Sequence, residues 1–88
     1  MKISINKKFL KDLAKIPSKD RARIERFVFE ELEQYEGIEG IGNMEKLQGY
    51  ETFYRARFGN YRVGVRYENN ELTVERVLHR KEIYKFFP

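Results

Sequence analysis

The 88-residue chain contains no cysteine, no tryptophan and a single histidine. Without cysteine there is no disulfide framework, no thiolate zinc site, no iron–sulfur cluster and no cysteine nucleophile. One histidine cannot supply a multi-histidine metal centre, so a metal would have to rest on carboxylates, and the sequence implies neither metal nor cofactor. No apolar run reaches transmembrane length, and the opening MKISINKKF lacks the apolar region of a signal peptide. A soluble, cytoplasmic protein without a membrane partner is therefore expected. Its length predicts one domain, residues 1–88, close to the smallest size at which a core sustains itself. What the chain does have is six tyrosines and seven phenylalanines, enough to fill a small core and leave some for a binding surface.

The net charge of +4 is unevenly spread. Residues 1–17 carry five lysines and one aspartate, residues 18–45 four bases and eight acids, and residues 46–88 nine bases and five glutamates. An acidic middle is thus flanked by two basic segments. Six of the nine bases in the last segment are arginine, whereas the first segment has only lysine. Arginine suits planar, multidentate phosphate contacts; lysine is a solvated point charge. Charge alone leaves two readings open, a solvated basic face and a surface for an anionic partner.

Periodicity gives the element order. Ile3 and Ile5 alternate with polar neighbours in a short strand over roughly residues 1–6. Asn6 is a candidate cap for a helix over roughly 7–16 with Phe9, Leu10, Leu13 and Ile16 on one stripe. Pro17 ends it, and Ser18 is a candidate cap for a second helix over roughly 19–36, whose stripe is Ile24, Phe27, Val28, Leu32 and Tyr35. Phe29 falls off that stripe. Three glycines make residues 37–43 a loop. From Lys46 the period becomes that of strands: Tyr54, Ala56 and Phe58 alternate with Phe53, Arg55 and Arg57, then Tyr61, Val63, Val65 and Tyr67 with Arg62, Gly64 and Arg66. Gly59-Asn60 and Asn69-Asn70 read as hairpin turns. A last strand over roughly 71–78 leads to a short helix or tail from Lys81. The class is α+β, in the order βααβββα, with both N-terminal helices packed on one face of a small antiparallel or mixed sheet and a short helix at the C-terminus.

The helices must bury their stripes on the aromatic face, which leaves Arg55, Arg57, Arg62 and Arg66 on an open one. Like charges on neighbouring strands repel unless acids or a ligand compensate. Few acids share that parity, so the pattern fits a phosphate-bearing ligand. Strict alternation would put Arg80 on the core side with Leu72, Val74 and Leu78, so the strand is expected to end or bulge before His79. Tyr84 then lies on the first turn of the last helix, able either to cap the core or to stack on a nucleobase.

The stretches Lys46-Leu47-Gln48-Gly49, Phe53-Tyr54-Arg55-Ala56-Arg57, Gly59-Asn60-Tyr61-Arg62-Val63 and Val77-Leu78-His79-Arg80-Lys81-Glu82-Ile83-Tyr84 resemble the RelE/ParE toxin superfamily of toxin–antitoxin systems. The resemblance covers essentially the whole chain. It implies one of two activities: cleavage of mRNA in the ribosomal A site, as in RelE-like members, or poisoning of DNA gyrase without catalysis, as in ParE-like members. By position, the RelE-like roles fall on Arg55 and Arg57, where some members have lysines, on Arg62 and Arg80, and on Tyr84 as the base-stacking ring. Arginine replaces lysine at 55 and 57, and a guanidinium is a poor general base. The resemblance further implies a cognate RelB-like antitoxin, ribosomal RNA and mRNA as partners, and a toxin–antitoxin hetero-oligomer.

Cleavage of this kind uses the substrate's own 2′-OH as nucleophile and gives a 2′,3′-cyclic phosphate and a 5′-OH. The protein must supply in-line geometry and stabilise the developing charge, both within reach of arginines. His79 is the one side chain of a type that titrates near neutrality, hence a candidate for proton transfer, though a structural place at the strand end is the other reading. Lys46, Arg66 and Lys81 are candidate RNA contacts, and Arg76 a rim or solvated charge. The series Lys7, Lys8, Lys11 and Lys15 is either a ribosome contact or a solvated face. Phe29, Phe86 and Phe87 are candidates for an antitoxin docking surface.

Overall fold

A computed structural model describes residues 1–88. Strand β1 (Lys2–Ile5) leads into α1 (Lys7–Leu13) and α2 (Ser18–Arg26). Strands β2 (Met44–Lys46), β3 (Phe53–Phe58), β4 (Tyr61–Glu68) and β5 (Glu71–His79) follow, and α3 (Ile83–Phe86) closes the chain. The five strands form one mixed sheet in the order β1-β5-β4-β3-β2, with β1 parallel to β5 and the other pairs antiparallel. The class is α+β as expected; the addition is β2, three residues that lengthen the sheet past the strands legible in the sequence. No helix is long and apolar enough to cross a membrane.

Local chemistry explains the helices. Asn6 accepts a hydrogen bond from the Lys8 backbone N–H through its side chain at 2.8 Å, satisfying one of the free donors of α1. Phe9, Leu13 and Ile16 are buried, whereas Leu10 is about half exposed and leaves the expected stripe. Helix α1 is regular only to Leu13; Ala14 to Ile16 turn toward Pro17, which has no N–H to continue the ladder. Ser18 is the first helical residue rather than a cap, since the position before it is Pro17 and no side chain caps the end. The second helical rod is not uniform: it widens to a π segment over Phe27–Glu31 and tightens to a 3-10 turn over Leu32–Gln34. Its stripe still packs inward, with Ile24, Phe27, Val28 and Leu32 buried and Phe29 exposed.

These stripes meet Ala56, Phe58, Val63, Val65, Leu72, Val74 and Val77 in the main core, where the rings of Phe27 and Phe58 meet edge to face at 4.9 Å. The opposite face of the sheet is not bare, as the alternation implied. Leu47, Ile83 and Phe87 form a second, smaller core there, with Phe53 and Leu78 against it. This roof fastens α3 over part of the face that also carries the arginines. Phe87, expected at an exposed docking surface, is buried in it; Phe86 is exposed.

Strand β5 contains the decisive irregularity. Gly64 pairs with Arg76 but Val65 with Val74, so β5 carries one extra residue, Glu75. Such a bulge reverses the alternation. Leu72 and Val74 face the helices before it; Val77 and His79 do so after it, in register with Val63 and Tyr61. Leu78 and then Arg80 consequently turn to the side of Arg62. The expected re-aiming of Arg80 thus occurs at Glu75, four residues before His79, and not at the strand end. Both hairpins have two-residue turns, and Asn69 and Asn70 take positive φ of 53° and 60°, as a type I′ turn requires.

Candidate functional site

Arg55, Arg57, Arg62 and Arg80 converge with Glu45, Lys81, Ile83 and Tyr84 around an open cleft of about 500 Å³. Pairing across the sheet produces the convergence. Arg57 lies directly opposite Arg62 on the β3–β4 hairpin, and Arg55 lies opposite Gly64, which has no side chain to crowd it. Arg62 donates through one guanidinium nitrogen to the carbonyls of Gly59 at 2.7 Å and Tyr61 at 2.9 Å, so the turn of its own hairpin holds it. The same turn receives the Arg80 backbone, whose N–H donates to the Asn60 carbonyl at 2.7 Å. One tight turn therefore sets two of the four arginines.

Helix α3 supplies the aromatic wall. Ile83 is fully buried, and the next residue, Tyr84, is 74% exposed. The Arg55 guanidinium carbon lies 5.0 Å from the centre of the Tyr84 ring, a cation–π distance. An exposed ring held by a buried neighbour and flanked by a guanidinium has a face on which a planar group can stack.

No carboxylate lies within 4 Å of any of the four arginines: the ion pairs of the chain involve Arg66 and Arg76 instead. Burial lowers the Arg62 pKa from its ordinary value, and Arg57, Arg80 and Arg55 lower it further by repulsion, while Tyr84 works the other way. The cluster is thus short of negative charge, and an anionic group placed among it relieves the repulsion. Several guanidiniums aimed at one space can hold a phosphate and stabilise extra charge developing on it.

The remaining sequence candidates lie elsewhere. His79 pairs with Tyr61 on the helix side of the sheet, its ring 5.7 Å from the tyrosine's, and its Nδ1 accepts the Lys81 backbone N–H at 3.2 Å. Strand alternation separates it from Arg80, so it does not line the cleft. Lys46 pairs with Tyr54 and shares its side of the sheet, away from the arginines. Arg66 belongs to the arginine face but sits beyond the cleft, tied to Glu68 at 3.4 Å and Glu75 at 3.5 Å. Arg76, expected to be a rim or solvated charge, is neither: it makes a two-point bond to Asp12 and lies 5.6 Å from the Phe86 ring centre. Conversely, Glu45 and Ile83 line the cleft and were not singled out from the sequence. Glu45 was hidden because β2 begins before Lys46; starting the alternation at Met44 puts Glu45 and the buried Leu47 on the arginine side.

The chain is similar to known toxins in sequence and in fold. Residues 3–84 match the family model of the ParE toxin of type II toxin–antitoxin systems. The chain is 38% identical over 89 residues to Toxin RelE3 of Methanocaldococcus jannaschii, with all of both sequences covered. Its fold is similar to the RelB–RelE antitoxin–toxin complex from Methanococcus jannaschii, with a TM-score of 0.80 and 36% identity over 97% of this chain and 99% of that one. The isolated E. coli RelE toxin shares the fold at 22% identity, with a TM-score of 0.67 over 96% of this chain and 90% of that one.

Proposed function

The chain belongs to the ParE toxin family, within the RelE/ParE superfamily of type II toxin–antitoxin systems, and from that premise we propose that this toxin is a ribosome-dependent endoribonuclease that cuts mRNA in the A site. The observation that carries the proposal is the convergence of Arg55, Arg57, Arg62 and Arg80, free of carboxylate partners, beside the exposed ring of Tyr84. A protein that only binds another protein has no need of a phosphate clamp joined to a stacking ring.

In this reading an mRNA base stacks on Tyr84 and the phosphate next to it enters the arginine cluster. The 2′-OH attacks that phosphorus, the P–O5′ bond breaks in line, and the products are a 2′,3′-cyclic phosphate and a 5′-OH. Arg62 and Arg80, oriented by the Gly59-Asn60 turn, stabilise the extra charge on the phosphorane-like transition state. Removal of one preorganised donor of this kind typically costs about 10²–10³ in rate. The proposed reaction calls on no metal ion, and the 2′-OH proton passes to a base. A RelB-like antitoxin, of the kind bound to the relative from Methanococcus jannaschii, is the proposed partner in a neutralised hetero-oligomer.

The family model matched is that of ParE toxins, which makes gyrase poisoning the second reading. One experiment separates the two. Purified protein is added to translating ribosomes, mRNA 5′ ends are mapped, and gyrase-dependent DNA breaks are scored in parallel. Codon-positioned cuts that disappear in Arg62→Ala and Arg80→Ala support the nuclease. Intact mRNA together with DNA breaks overturns it in favour of gyrase poisoning.

A further inference from the structure

The cleft contains one group that the phosphate clamp does not use. Glu45 is its only carboxylate, among four arginines, Lys81 and Tyr84. Its side chain makes no ion pair within 4 Å and no hydrogen bond, although β2–β3 pairing sets its Cα opposite that of Arg55. Its direction is fixed two residues later, where Leu47 is buried against Ile83 and Phe87 on the same side of the sheet. A lone acid weakens a phosphate site, so charge attraction to substrate does not account for its place.

Proton transfer does. Attack by the 2′-OH requires a base, and arginine, lysine and tyrosine side chains all hold their protons at neutral pH. Glutamate is the one residue type in this cleft that is ionised and ready to accept a proton. His79 lies on the other side of the sheet. Arg55 relates Glu45 to the substrate: it pairs with Glu45 across the strands and its guanidinium lies 5.0 Å from the Tyr84 ring centre. Glu45 and Tyr84 are thus both neighbours of Arg55 in the same cleft.

We infer that Glu45 is the general base of the cleavage reaction, an assignment that rests on the nuclease reading above. A carboxylate oxygen of Glu45 takes the 2′-OH proton as the 2′-oxygen bonds to phosphorus. The P–O5′ bond breaks with its electron pair on the 5′-oxygen, which takes a proton from solvent water, and Glu45 releases its own to solvent. The polar groups that share the cleft with Glu45 are Arg55 and Arg57 from β3, Arg62 from β4, Arg80 and Lys81 after β5, and Tyr84 from α3. All the charged ones are cations.

The test is single-turnover cleavage of mRNA on programmed ribosomes as a function of pH, for the wild type, Glu45→Gln and Glu45→Asp, with ribosome affinity measured separately. Glu45→Gln is expected to lower the rate at saturating protein by about 10²–10⁴. Affinity should hold or rise, because a negative charge has left an anion site. The single-proton acid limb of the wild-type profile should vanish in Glu45→Gln and return, with part of the rate, in Glu45→Asp. Glu45→Gln cleaving at the wild-type rate, or with the wild-type pH profile, overturns the assignment and leaves the nuclease reading intact. A wild-type protein that leaves mRNA uncut overturns both.

Discussion

The ring of Phe87 lies so close to the backbone of Gly64 that a Cβ on Gly64 would stand 2.7 Å from two of its carbons. Gly64 is buried in the middle of β4, directly across from Arg55 on one side and Arg76 on the other. The missing side chain therefore lets Phe87 seat, and with it the small core that holds α3 and Tyr84.

Gly64→Ala is accordingly expected to push Phe87 off the sheet. Overpacking of this kind costs about 1–3 kcal/mol. The main core is on the other face, so the fold should persist while cleavage falls with the displaced Tyr84. A double-mutant cycle with Phe87→Ala checks the mechanism: the pair should cost less than the sum of the single changes, because without the ring there is no clash. Additive losses in thermal stability would contradict it.

The arginine cluster should destabilise the free protein. With its pKa lowered, Arg62 binds its proton less tightly in the folded state than in the unfolded one. That cost is present at every pH below its folded pKa and is relieved only as the pH rises through that value toward the unfolded-state one, in the strongly alkaline range. Across neutral pH the penalty is flat, and charge removal or an added anion must relieve it instead. Arg57→Gln, which takes one charge from the Arg57–Arg62 cross-strand pair, should stabilise by about 0.5 kcal/mol, or roughly 2–4 °C in melting temperature at low salt. The gain should shrink in phosphate buffer, and the same variant should cleave more slowly. A melting temperature unchanged in low salt would count against the cluster as a source of strain.

At the far edge of the sheet Asp12 performs three tasks. It accepts Nε of Arg76 at 2.7 Å, a second guanidinium nitrogen at 3.1 Å, and the Val77 backbone N–H at 3.2 Å, closing part of β5 that β1 does not reach. The hydrogen bond to Asp12 raises the Arg76 pKa. Asp12→Ala leaves a partly buried guanidinium and a strand N–H without partners, and should cost about 1–3 kcal/mol. Because no residue of the cleft is involved, cleavage at a permissive temperature should be unchanged while the midpoint of denaturant unfolding falls. A parallel loss of cleavage rate would show that the two ends of the sheet are coupled.

Strand chemistry was legible in the sequence where it is local. Gly59-Asn60 and Asn69-Asn70 marked both turns, and the two-residue period put Arg55, Arg57 and Arg62 on one face. What was not legible depends on a partner strand or a distant residue. The bulge at Glu75 has no glycine or proline to announce it; it exists only in register against Gly64 and Val65. Arg76 looked like a free charge because Asp12 lies 64 residues away. His79 is a candidate by its side-chain type alone, yet strand neighbours point to opposite faces, and it is turned away from Arg80. The second core has no sequence signal, because α3 has four residues and no period to read.

Tyr84 offers the sharpest separation of binding platform from structural cap. At 74% exposure its ring contributes little to the core, and Ile83 anchors the helix without it. Tyr84→Ala should therefore leave the melting temperature within about 1 °C, since exposed substitutions rarely change stability by more than about 0.5 kcal/mol. Loss of one stacked base is typically worth about 1–3 kcal/mol, a drop of roughly 5- to 150-fold in cleavage efficiency. Tyr84→Phe keeps the ring and the cation–π contact with Arg55 and should retain most of the activity. If the phenol hydroxyl itself takes part in the chemistry, Tyr84→Phe will fall with Tyr84→Ala. If the ring is only a cap for the small core, Tyr84→Ala will melt early and cleave normally at low temperature, so the paired melting and cleavage curves decide among the three roles.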